Sequence, residues 1–249
     1  MQTSLFQNDD CFLDPDKIHA SWNSFLTPEN ERIILDIEKN IRSTALPFTP
    51  EPGLVLRFLQ VPLAEIKIII LGQDPYPQPD IATGRAFEVN GLKSWLQTYK
   101  NISLKNIVRL IYKTYTGETC RYEHIKKQIA TGKFNIAPPG KLFENWEKQG
   151  VLLLNTSFTC QVGKPGSHAE IWESFTGKLL DFLSAKKNIT WFLWGQHAID
   201  ATHSIPIEQK IITFHPMMCF DKPGRELDFL YGKTNPFEQT RETINWLGL

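Results

Sequence analysis

Four short runs of mostly apolar residues punctuate this chain, and each ends abruptly at glycine or at a polar side chain. They cover residues 66–71, 151–155, 189–194 and 210–214. Apolar runs of this length without polar alternation are typical of strands that are buried on both faces of a parallel sheet. None approaches the ~20 residues that a membrane-spanning helix needs.

Segments with apolar residues at helical spacing separate these runs. Thr27-Pro28-Glu29 combines a capping residue, a first-turn proline and an early acid, which together predict the start of a helix. Ser103 is predicted to cap a second helix that ends near residue 115. Further helices are predicted over residues 54–59, 142–149, 172–183, 196–203 and 235–247, and turns or loops over 49–53, 77–90 and 156–170. Residues 117–140 carry no clear pattern.

The alternation of strands and helices predicts the fold class. We expect an α/β fold, a single three-layer domain with a central, mainly parallel four-stranded sheet flanked by helices. A length of 249 residues suits one such domain with a large core. Residues 1–18 are polar and are predicted to form an N-terminal arm, which leaves residues 19–249 as the domain itself.

Charge and cysteine usage narrow the class of protein. Lys plus Arg and Asp plus Glu number 27 each, so the net charge is zero, which argues against a strongly basic nucleic-acid binder but leaves room for a local basic groove. The N-terminus has neither the basic nor the apolar region of a secretory signal. The four cysteines lack C-x-x-C spacing and the histidines lack metal-binding spacing, so we expect no metal and a cytoplasmic or nuclear location.

Polar side chains follow each of the four predicted strands. Gln73 and Asp74 follow the first, Asn155 ends the second, Gly195-Gln196 follows the third and His215 the fourth. Because the carboxyl ends of parallel strands meet at one edge of a sheet, these groups are expected to converge there. Simpler explanations stay open for each, since Asp and Asn are common turn residues and a histidine can be satisfied near a core. Convergence of all four favours a functional site.

A series of short motifs in this chain resembles family 1 uracil-DNA glycosylases. The resemblance spans roughly residues 25–247, and the ordered spacing makes it specific although each motif alone is weak. The motifs are Gly-Gln-Asp-Pro-Tyr at 72–76, Gly-x-x-Phe at 84–87, Ser-Leu-Lys-Asn-Ile at 103–107, Gly-Val-Leu-Leu-Leu-Asn at 150–155, Ser-His at 167–168 with Trp172, Leu-Trp-Gly at 193–195, His-Pro at 215–216, Gly-Lys-Thr-Asn at 232–235 and Ile-Asn-Trp at 244–246.

The resemblance implies a monofunctional glycosylase of base-excision repair. Such an enzyme hydrolyses the N-glycosidic bond of deoxyuridine in DNA and yields free uracil and an abasic site, after the nucleotide has been extruded from the stack. It implies no cofactor, no membrane partner and a monomer acting on single- or double-stranded DNA. A protein inhibitor or a replication partner is a further expectation.

The resemblance also implies roles for individual residues. Asp74 would stabilise the oxocarbenium-like sugar and position the attacking water, and neutral His215 would donate a hydrogen bond to the developing uracil anion. In the base pocket, the Asn155 amide would pair with the uracil edge. Phe87 would stack on the base, Tyr76 would exclude the methyl group of thymine, and Gln73 would contact the base.

The DNA-contacting segments are where this sequence departs from the family pattern. Pro77 replaces a histidine, and Lys100-Asn101-Ile102 replaces a proline-rich approach to Ser103. After the His-Pro motif, the usual Ser-Pro-Leu-Ser is replaced, and the position of the leucine that wedges into DNA falls on Cys219. The residues expected to contact DNA are Ser103, Gly195, Gln196, Pro216, Met217, Met218, Cys219 and Phe220.

Two alternative functions stay open at this point. The first is a glycosylase retargeted to another modified pyrimidine in viral or defence biology, which the altered loops favour and the retained Tyr76 and Asn155 oppose. The second is a DNA-binding replication subunit with weak activity. Pro77 and the changed wedge favour it, whereas the retained Asp74 and His215 oppose it.

Overall fold

The structure is a computed structural model that describes residues 11–249. The strands are β1 (Phe48–Thr49), β2 (Ile68–Gly72), β3 (Val151–Asn155), β4 (Cys160–Gln161), β5 (Thr190–Trp194) and β6 (Gln209–Thr213). The α-helices are α1 (Pro28–Ser43), α2 (Ile102–Thr116), α3 (Tyr122–Ala130), α4 (Pro139–Lys148), α5 (Ala169–Ser184), α6 (Gln196–Ala201) and α7 (Pro236–Gln239). Within residues 11–249, no helix is long and apolar enough to cross a membrane.

The central sheet has four strands in the order β3-β2-β5-β6, and every neighbouring pair is parallel. The predicted four-stranded parallel sheet is therefore confirmed. The chain leaves β2 for β3 on one side and returns to β5 on the other, so the strand order reverses between β2 and β5. In open α/β sheets, the crevice beyond the carboxyl ends of the strands at such a reversal is the usual ligand site.

Alternate residues of each central strand enter two different cores. In β2, Ile68 and Ile70 pack with α2, α3 and α4, whereas Ile69 and Leu71 pack with α1 and α5. Successive side chains of a strand point to opposite faces, and here both faces are covered by helices. This burial on both sides explains why the strand sequences lack polar alternation, and it confirms the predicted three-layer arrangement.

The first helix begins where the sequence predicts. The Thr27 side chain accepts a hydrogen bond from the N–H of Asn30 at 3.3 Å, and Pro28 opens the first turn. This cap satisfies one of the N–H groups that a helix start leaves without a partner. Ile34, Ile37 and Ile41 form the buried stripe of α1.

The predicted cap of α2 is wrong by two residues. Asn101, not Ser103, occupies the N-cap position, and Ser103 lies buried within the first turn. Asn101 has an extended backbone, and its carbonyl accepts the N–H of Lys105 at 3.2 Å, so helical bonding starts earlier than the Ser103 signal suggested. The Asn101 side chain makes no capping hydrogen bond.

The predicted closing helix over 235–247 is also wrong, because α7 ends at Gln239. Beyond it the buried residues alternate, with Ile244, Trp246 and Gly248 inside. The indole N–H of Trp246 donates to the Thr240 hydroxyl at 3.1 Å. Burial of every second residue does not fit a helix, whose buried positions recur at about 3.6 residues.

Three other segments differ from the sequence prediction in detail. The predicted helix over 54–59 is a pair of 3₁₀ helices, Pro52–Leu54 and Arg57–Gln60. The unassigned stretch 117–140 contains α3, and the long loop after β3 contains β4, which pairs antiparallel with β1. Short pairings such as β1 and β4 carry too few residues to produce a periodic signal.

The predicted N-terminal arm lies partly outside the described residues, which begin at Cys11. Phe12 is buried, its N–H donates to the Glu38 carboxylate at 3.1 Å, and its ring stacks on Trp172 at a centroid distance of 6.1 Å. This segment thus adds a side chain to the core on the α1 and α5 face. The boundary at residue 18 stays a prediction.

Candidate active site

One cavity of about 190 Å³ lies beyond the carboxyl ends of the central strands. It brings together the six side chains that the sequence predicted for catalysis and base recognition. They are Gln73, Asp74, Tyr76, Phe87, Asn155 and His215. The parallel alignment of β2, β3 and β6 produces much of this convergence, because it places the ends of these strands at one edge of the sheet.

The contact between Gly72 and Asn155 shapes the floor of this cavity. The two residues are opposite each other in the parallel pairing of β2 and β3. A Cβ at position 72 would lie 2.5 Å from Asn155 Oδ1 and 3.1 Å from the Ala86 Cβ, so only glycine fits. The Asn155 side chain is buried and makes no hydrogen bond within the described part of the chain, so its amide is available to a ligand.

Asp74 is half-buried and is held by the loop that precedes α5. Its Oδ2 accepts a hydrogen bond from the Gly166 N–H at 2.5 Å. Burial raises the pKa of the Asp74 carboxyl, and the Gly166 hydrogen bond and the nearby His197 ring partly offset that rise. A desolvated carboxylate with one fixed oxygen is a strong electrostatic partner for positive charge that develops in the cavity.

The hydrogen bonding of His215 determines its tautomer. Its Nδ1 accepts the N–H of Met217 at 3.2 Å, and because a backbone N–H only donates, Nδ1 carries no proton. Burial lowers the pKa of His215, which favours the neutral ring near pH 7. The remaining proton therefore lies on Nε2, which is a hydrogen-bond donor.

Gly195 brings the end of β5 against His215. Its φ is +98°, and a Cβ there would lie 2.8 Å from the His215 Cβ. Its N–H donates to the Thr213 carbonyl at 2.8 Å, which joins the β5–α6 turn to β6. Glycine adopts this backbone conformation without strain and leaves room for the histidine.

Phe87 has the left-handed backbone conformation, with φ at +67°, that non-glycine residues rarely adopt. Its ring centroid lies 5.2 Å from that of Trp194 and 6.1 Å from that of His215. Strained residues of this kind persist only where the surrounding structure holds them, and they are frequent in ligand sites. The ring forms one wall of the cavity.

A buried ion-pair cluster, which sequence reasoning missed, holds the Phe87 segment. Arg85 donates to both carboxylate oxygens of Glu147 at 2.7 Å and to Glu88 at 3.1 Å. Glu88 also accepts the Thr83 hydroxyl at 2.6 Å. No local pattern pairs Arg85 with Glu147, which lies far along the chain in α4, so only the fold reveals this clamp.

His197 is a second residue of the site that sequence reasoning missed. The Thr156 hydroxyl donates to the Gln73 carbonyl at 2.9 Å and therefore accepts from His197 Nε2, which lies 2.7 Å away. The Gln73 carbonyl also accepts the Ser157 N–H at 2.9 Å. His197 follows Gly195-Gln196 directly, so its position just beyond a strand end is the signal that could have found it.

The residues predicted to contact DNA surround this cavity. Ser103 and Met217 line it directly, and Gly195 and Gln196 line an adjoining cavity that includes Gln73 and His215. The Gln196 side chain donates to Asp200 at 2.7 Å. The Pro216 carbonyl accepts the Asn106 amide at 2.6 Å, which ties the loop to α2.

The loop after His215 exposes Met217, Met218 and Phe220, whereas Cys219 is half-buried. The Cys219 thiol donates to the Pro216 carbonyl at 3.2 Å, and burial raises its pKa to about 12. Cys219 therefore packs against the protein, and the large exposed apolar surface of this loop belongs to its neighbours.

Asp228 organises this loop and gave no signal in the sequence. Its side chain is fully buried and accepts the Phe220 N–H at 2.8 Å and the N–H groups of Leu230 and Tyr231 at 3.0 Å each. Arg225 donates to it at 3.1 Å. These bonds hold the pKa of Asp228 below its ordinary value despite burial, so the carboxylate stays charged and the loop keeps its shape.

Metal-type side chains cluster at another place. In residues 11–249, the potential ligand atoms of Glu118, Cys120 and His124 lie within 4.8 Å of one another. Glu118 and Cys120 lie in the connection between α2 and α3 and His124 lies in α3, at the end of α2 opposite Ser103; two of the three residues are exposed. This cluster has no part in the cavity at the strand ends.

Comparisons with known proteins show which family this chain resembles. The model of the uracil DNA glycosylase superfamily matches residues 58–240. The chain is 30% identical over 237 residues to the uracil-DNA glycosylase of Azobacteroides pseudotrichonymphae, covering 92% of this chain and 97% of that protein. It is also 30% identical over 236 residues to uracil-DNA glycosylase 1 of Listeria monocytogenes, with 91% and 96% covered.

The fold is shared with solved structures. The crystal structure of mimivirus uracil-DNA glycosylase superposes with a TM-score of 0.61 at 25% identity, covering 80% of this chain and 69% of that one. The wild-type UNG crystal structure from Nitratifractor salsuginis superposes with a TM-score of 0.66 at 24% identity, covering 83% and 87%. At this low identity the second comparison supports the fold alone.

We expect His215 to titrate below the ordinary value of 6.5, with its proton on Nε2. Burial disfavours the imidazolium in the folded chain but not in the unfolded chain, so the contribution of this group to stability is lost as the pH falls below about 6.5. Long-range ¹H–¹⁵N correlation spectra across pH 5–8 measure both properties, with the denaturant-unfolded chain as control. A midpoint at or above 6.5, or a proton on Nδ1, would contradict this assignment.

Proposed function

The chain belongs to the uracil-DNA glycosylase superfamily, and on that basis we propose that it hydrolyses the N-glycosidic bond of deoxyuridine in DNA as a monofunctional enzyme of base-excision repair. The products are free uracil and an abasic site. The observation that carries the proposal is the single cavity in which Asp74, Asn155 and His215 meet. The relatives, which are named as uracil-DNA glycosylases, favour this function over a retargeted glycosylase or a weakly active replication subunit.

Base recognition is assigned to the amide of Asn155. In one orientation this amide donates to O4 of uracil and accepts from N3–H, whereas cytosine presents the opposite pattern at the same two positions. Phe87 stacks on the base, and the Tyr76 ring occupies the space that the methyl group of thymine would need. Gln73, whose carbonyl is held by Thr156, lies beside the base.

Bond cleavage is assigned to electrostatic stabilisation by two groups. The departing base becomes an anion, and His215 Nε2–H donates a hydrogen bond to its O2. The sugar becomes oxocarbenium-like, and the Asp74 carboxylate stabilises its positive charge and orients the attacking water. Charged and polar groups that are fixed before the reaction and aimed at developing charge usually contribute most to the rate enhancement of an enzyme.

DNA binding is assigned to the rim of the cavity. The start of α2 presents backbone N–H groups without a side-chain cap, and such helix ends bind phosphates without requiring a basic protein. Of the exposed methionines in the loop after His215, Met217 lines the cavity assigned to the base, so the gap that a flipped nucleotide leaves is assigned to Met218. Phe220 is held against the Arg225 guanidinium at 5.1 Å, and Cys219 is half-buried.

We further propose that the enzyme is a monomer acting on single- or double-stranded DNA. An inhibitor protein or a replication partner would approach the same rim, because that is where the exposed apolar side chains Met217, Met218 and Phe220 lie. A cytoplasmic location is consistent with the bacterial relatives.

Asp74→Asn should lower single-turnover excision of uracil by at least ~100-fold, because the amide cannot stabilise the sugar cation. Binding of uracil-containing DNA should persist. Stopped reactions with a labelled oligonucleotide give the rate, and Asp181→Asn on the exposed face of α5 is the matched control. An unchanged rate for Asp74→Asn would remove this carboxylate from the mechanism.

Tyr76→Ala should permit some excision of thymine, because it opens space at C5 of the base. Asn155→Asp should gain activity on cytosine, because a carboxyl group can accept from N4 where the amide donates. Both new activities are measured by counting the abasic sites that each variant forms in oligonucleotides carrying uracil, thymine or cytosine. Loss of uracil excision by both variants without either gain would show that the base pocket is assigned incorrectly.

Met218→Ala should impair excision from duplex DNA more than from single strands, because a wedge is needed only where a base pair must be opened. Phe220→Ala should share this behaviour to a smaller extent, since Arg225 restrains its ring. Leu35→Ala removes an exposed apolar side chain on α1 and serves as control. Equal losses on both substrates together with a lowered melting temperature would assign these side chains to packing.

A further inference from the structure

A second and larger cavity adjoins the cavity at the strand ends. Its volume is about 640 Å³, compared with about 190 Å³ for the first. Tyr76, Ser103 and Met217 line both cavities, so the two cavities share a wall at these side chains. A ligand that fills the first cavity and continues along a chain can therefore reach the second directly.

The walls of the second cavity suit a flat apolar group in an anionic chain. The apolar lining includes Ile81, Val89, Leu92, Ile102 and Met217. Ile102 and Met217 are each 52% exposed, which leaves much of their apolar surface for a ligand. Within the described residues the lining contains no carboxylate and one cation, Lys100, so a negatively charged ligand meets no repulsion there.

At the border between the two cavities, Ser103 and the start of α2 form a site that suits a phosphate. Ser103 is only 8% exposed, and its hydroxyl makes no hydrogen bond among residues 11–249. It lies in the first turn of α2, a helix of 15 residues whose N-cap residue, Asn101, makes no side-chain cap. The N–H groups of such a helix start carry partial positive charge, and together with the Ser103 hydroxyl, which has no partner among the described residues and lines both cavities, they favour an anion.

We propose that the second cavity binds the nucleobase of the nucleotide next to the target uracil in an unpaired DNA strand. Adjacent nucleotides share one phosphodiester, and that group lies at Ser103 when one base occupies each cavity. The larger volume accepts a purine or a pyrimidine, so the site reads an unpaired base and not its identity. This inference rests on the proposed function and adds a substrate class to it.

The subsite distinguishes single strands from duplexes. In a duplex the neighbouring base is paired and stacked, so a second base would have to leave the helix to reach the cavity. In a single strand the base is already unpaired, and its contact with apolar side chains adds to binding. The enzyme is therefore expected to use the second cavity on single-stranded DNA.

The test replaces the neighbouring base while retaining its phosphate. Single-stranded oligonucleotides with one uracil carry either a normal nucleotide or a tetrahydrofuran abasic analogue at the adjacent position, on the 5′ side or on the 3′ side. Removing the base on one of these sides should lower kcat/KM at least about fivefold, the lower end of what one stacked base contributes. The same replacement in a duplex should cause no such loss.

A variant of the cavity wall tests whether the dependence of the rate on the neighbouring base arises from the second cavity. Ile102→Ala removes the exposed apolar wall and should reduce the ratio of rates between normal and abasic neighbours towards one, whereas Leu35→Ala should leave that ratio unchanged. Melting temperatures of both variants should match that of the unchanged protein, since both side chains are exposed. Equal rates with normal and abasic neighbours on both sides would overturn the proposal, and so would a ratio that Ile102→Ala leaves intact.

Binding measurements separate failure of this inference from failure of the proposed function. Fluorescence anisotropy with the Asp74→Asn variant and the same single strands measures affinity without cleavage. If the unchanged protein does not release uracil but affinity falls when the neighbouring base is absent, the function is wrong and the subsite stands. If uracil is released and neither rate nor affinity depends on that base, the cavity holds at most the backbone and the subsite is wrong.

Discussion

The close approach of Gly72 to Asn155 is the contact on which the rest of the site depends. The two residues face each other at the carboxyl ends of β2 and β3, and any side chain at position 72 would collide with the Asn155 amide. Gly195 has the same role at the end of β5, because a side chain at this position would collide with His215. Two glycines thus let a parallel sheet bring an amide and an imidazole to the edge of one small cavity.

Burial has opposite effects on the two groups assigned to chemistry. It raises the pKa of Asp74 and lowers the pKa of His215, since in both cases it disfavours the charged form. A backbone N–H donor fixes each group, Gly166 for the carboxylate and Met217 for the imidazole. The imidazole is therefore a neutral donor, and the partly desolvated carboxylate keeps a stabilising hydrogen bond from Gly166.

The loop after His215 is held by the buried carboxylate of Asp228, a residue to which the family resemblance gave no role. Asp228 accepts four hydrogen bonds, and Arg225 is one of the donors. A buried carboxylate that loses its donors becomes costly, so this loop is held as a unit. Its shape turns Cys219 inward and leaves Met218 exposed, which is why we propose Met218, and not Cys219, as the side chain that fills the gap in DNA.

The sequence alone determined the four central strands and the polar residues at their ends, because buried apolar runs and the residues that stop them are local features. It was sufficient to single out Asp74, Asn155 and His215. The tertiary structure decided where α2 begins, why the chain turns after α7, and how the Arg85 clamp, the Asp228 network and the second cavity form. The Arg85–Glu147 pair and the second cavity depend on residues far apart in the chain, and no local pattern encodes which distant partners will meet. The Asp228 network joins this carboxylate to residues within eight positions of it, but it exists only because the loop folds these backbone N–H groups around one buried carboxylate.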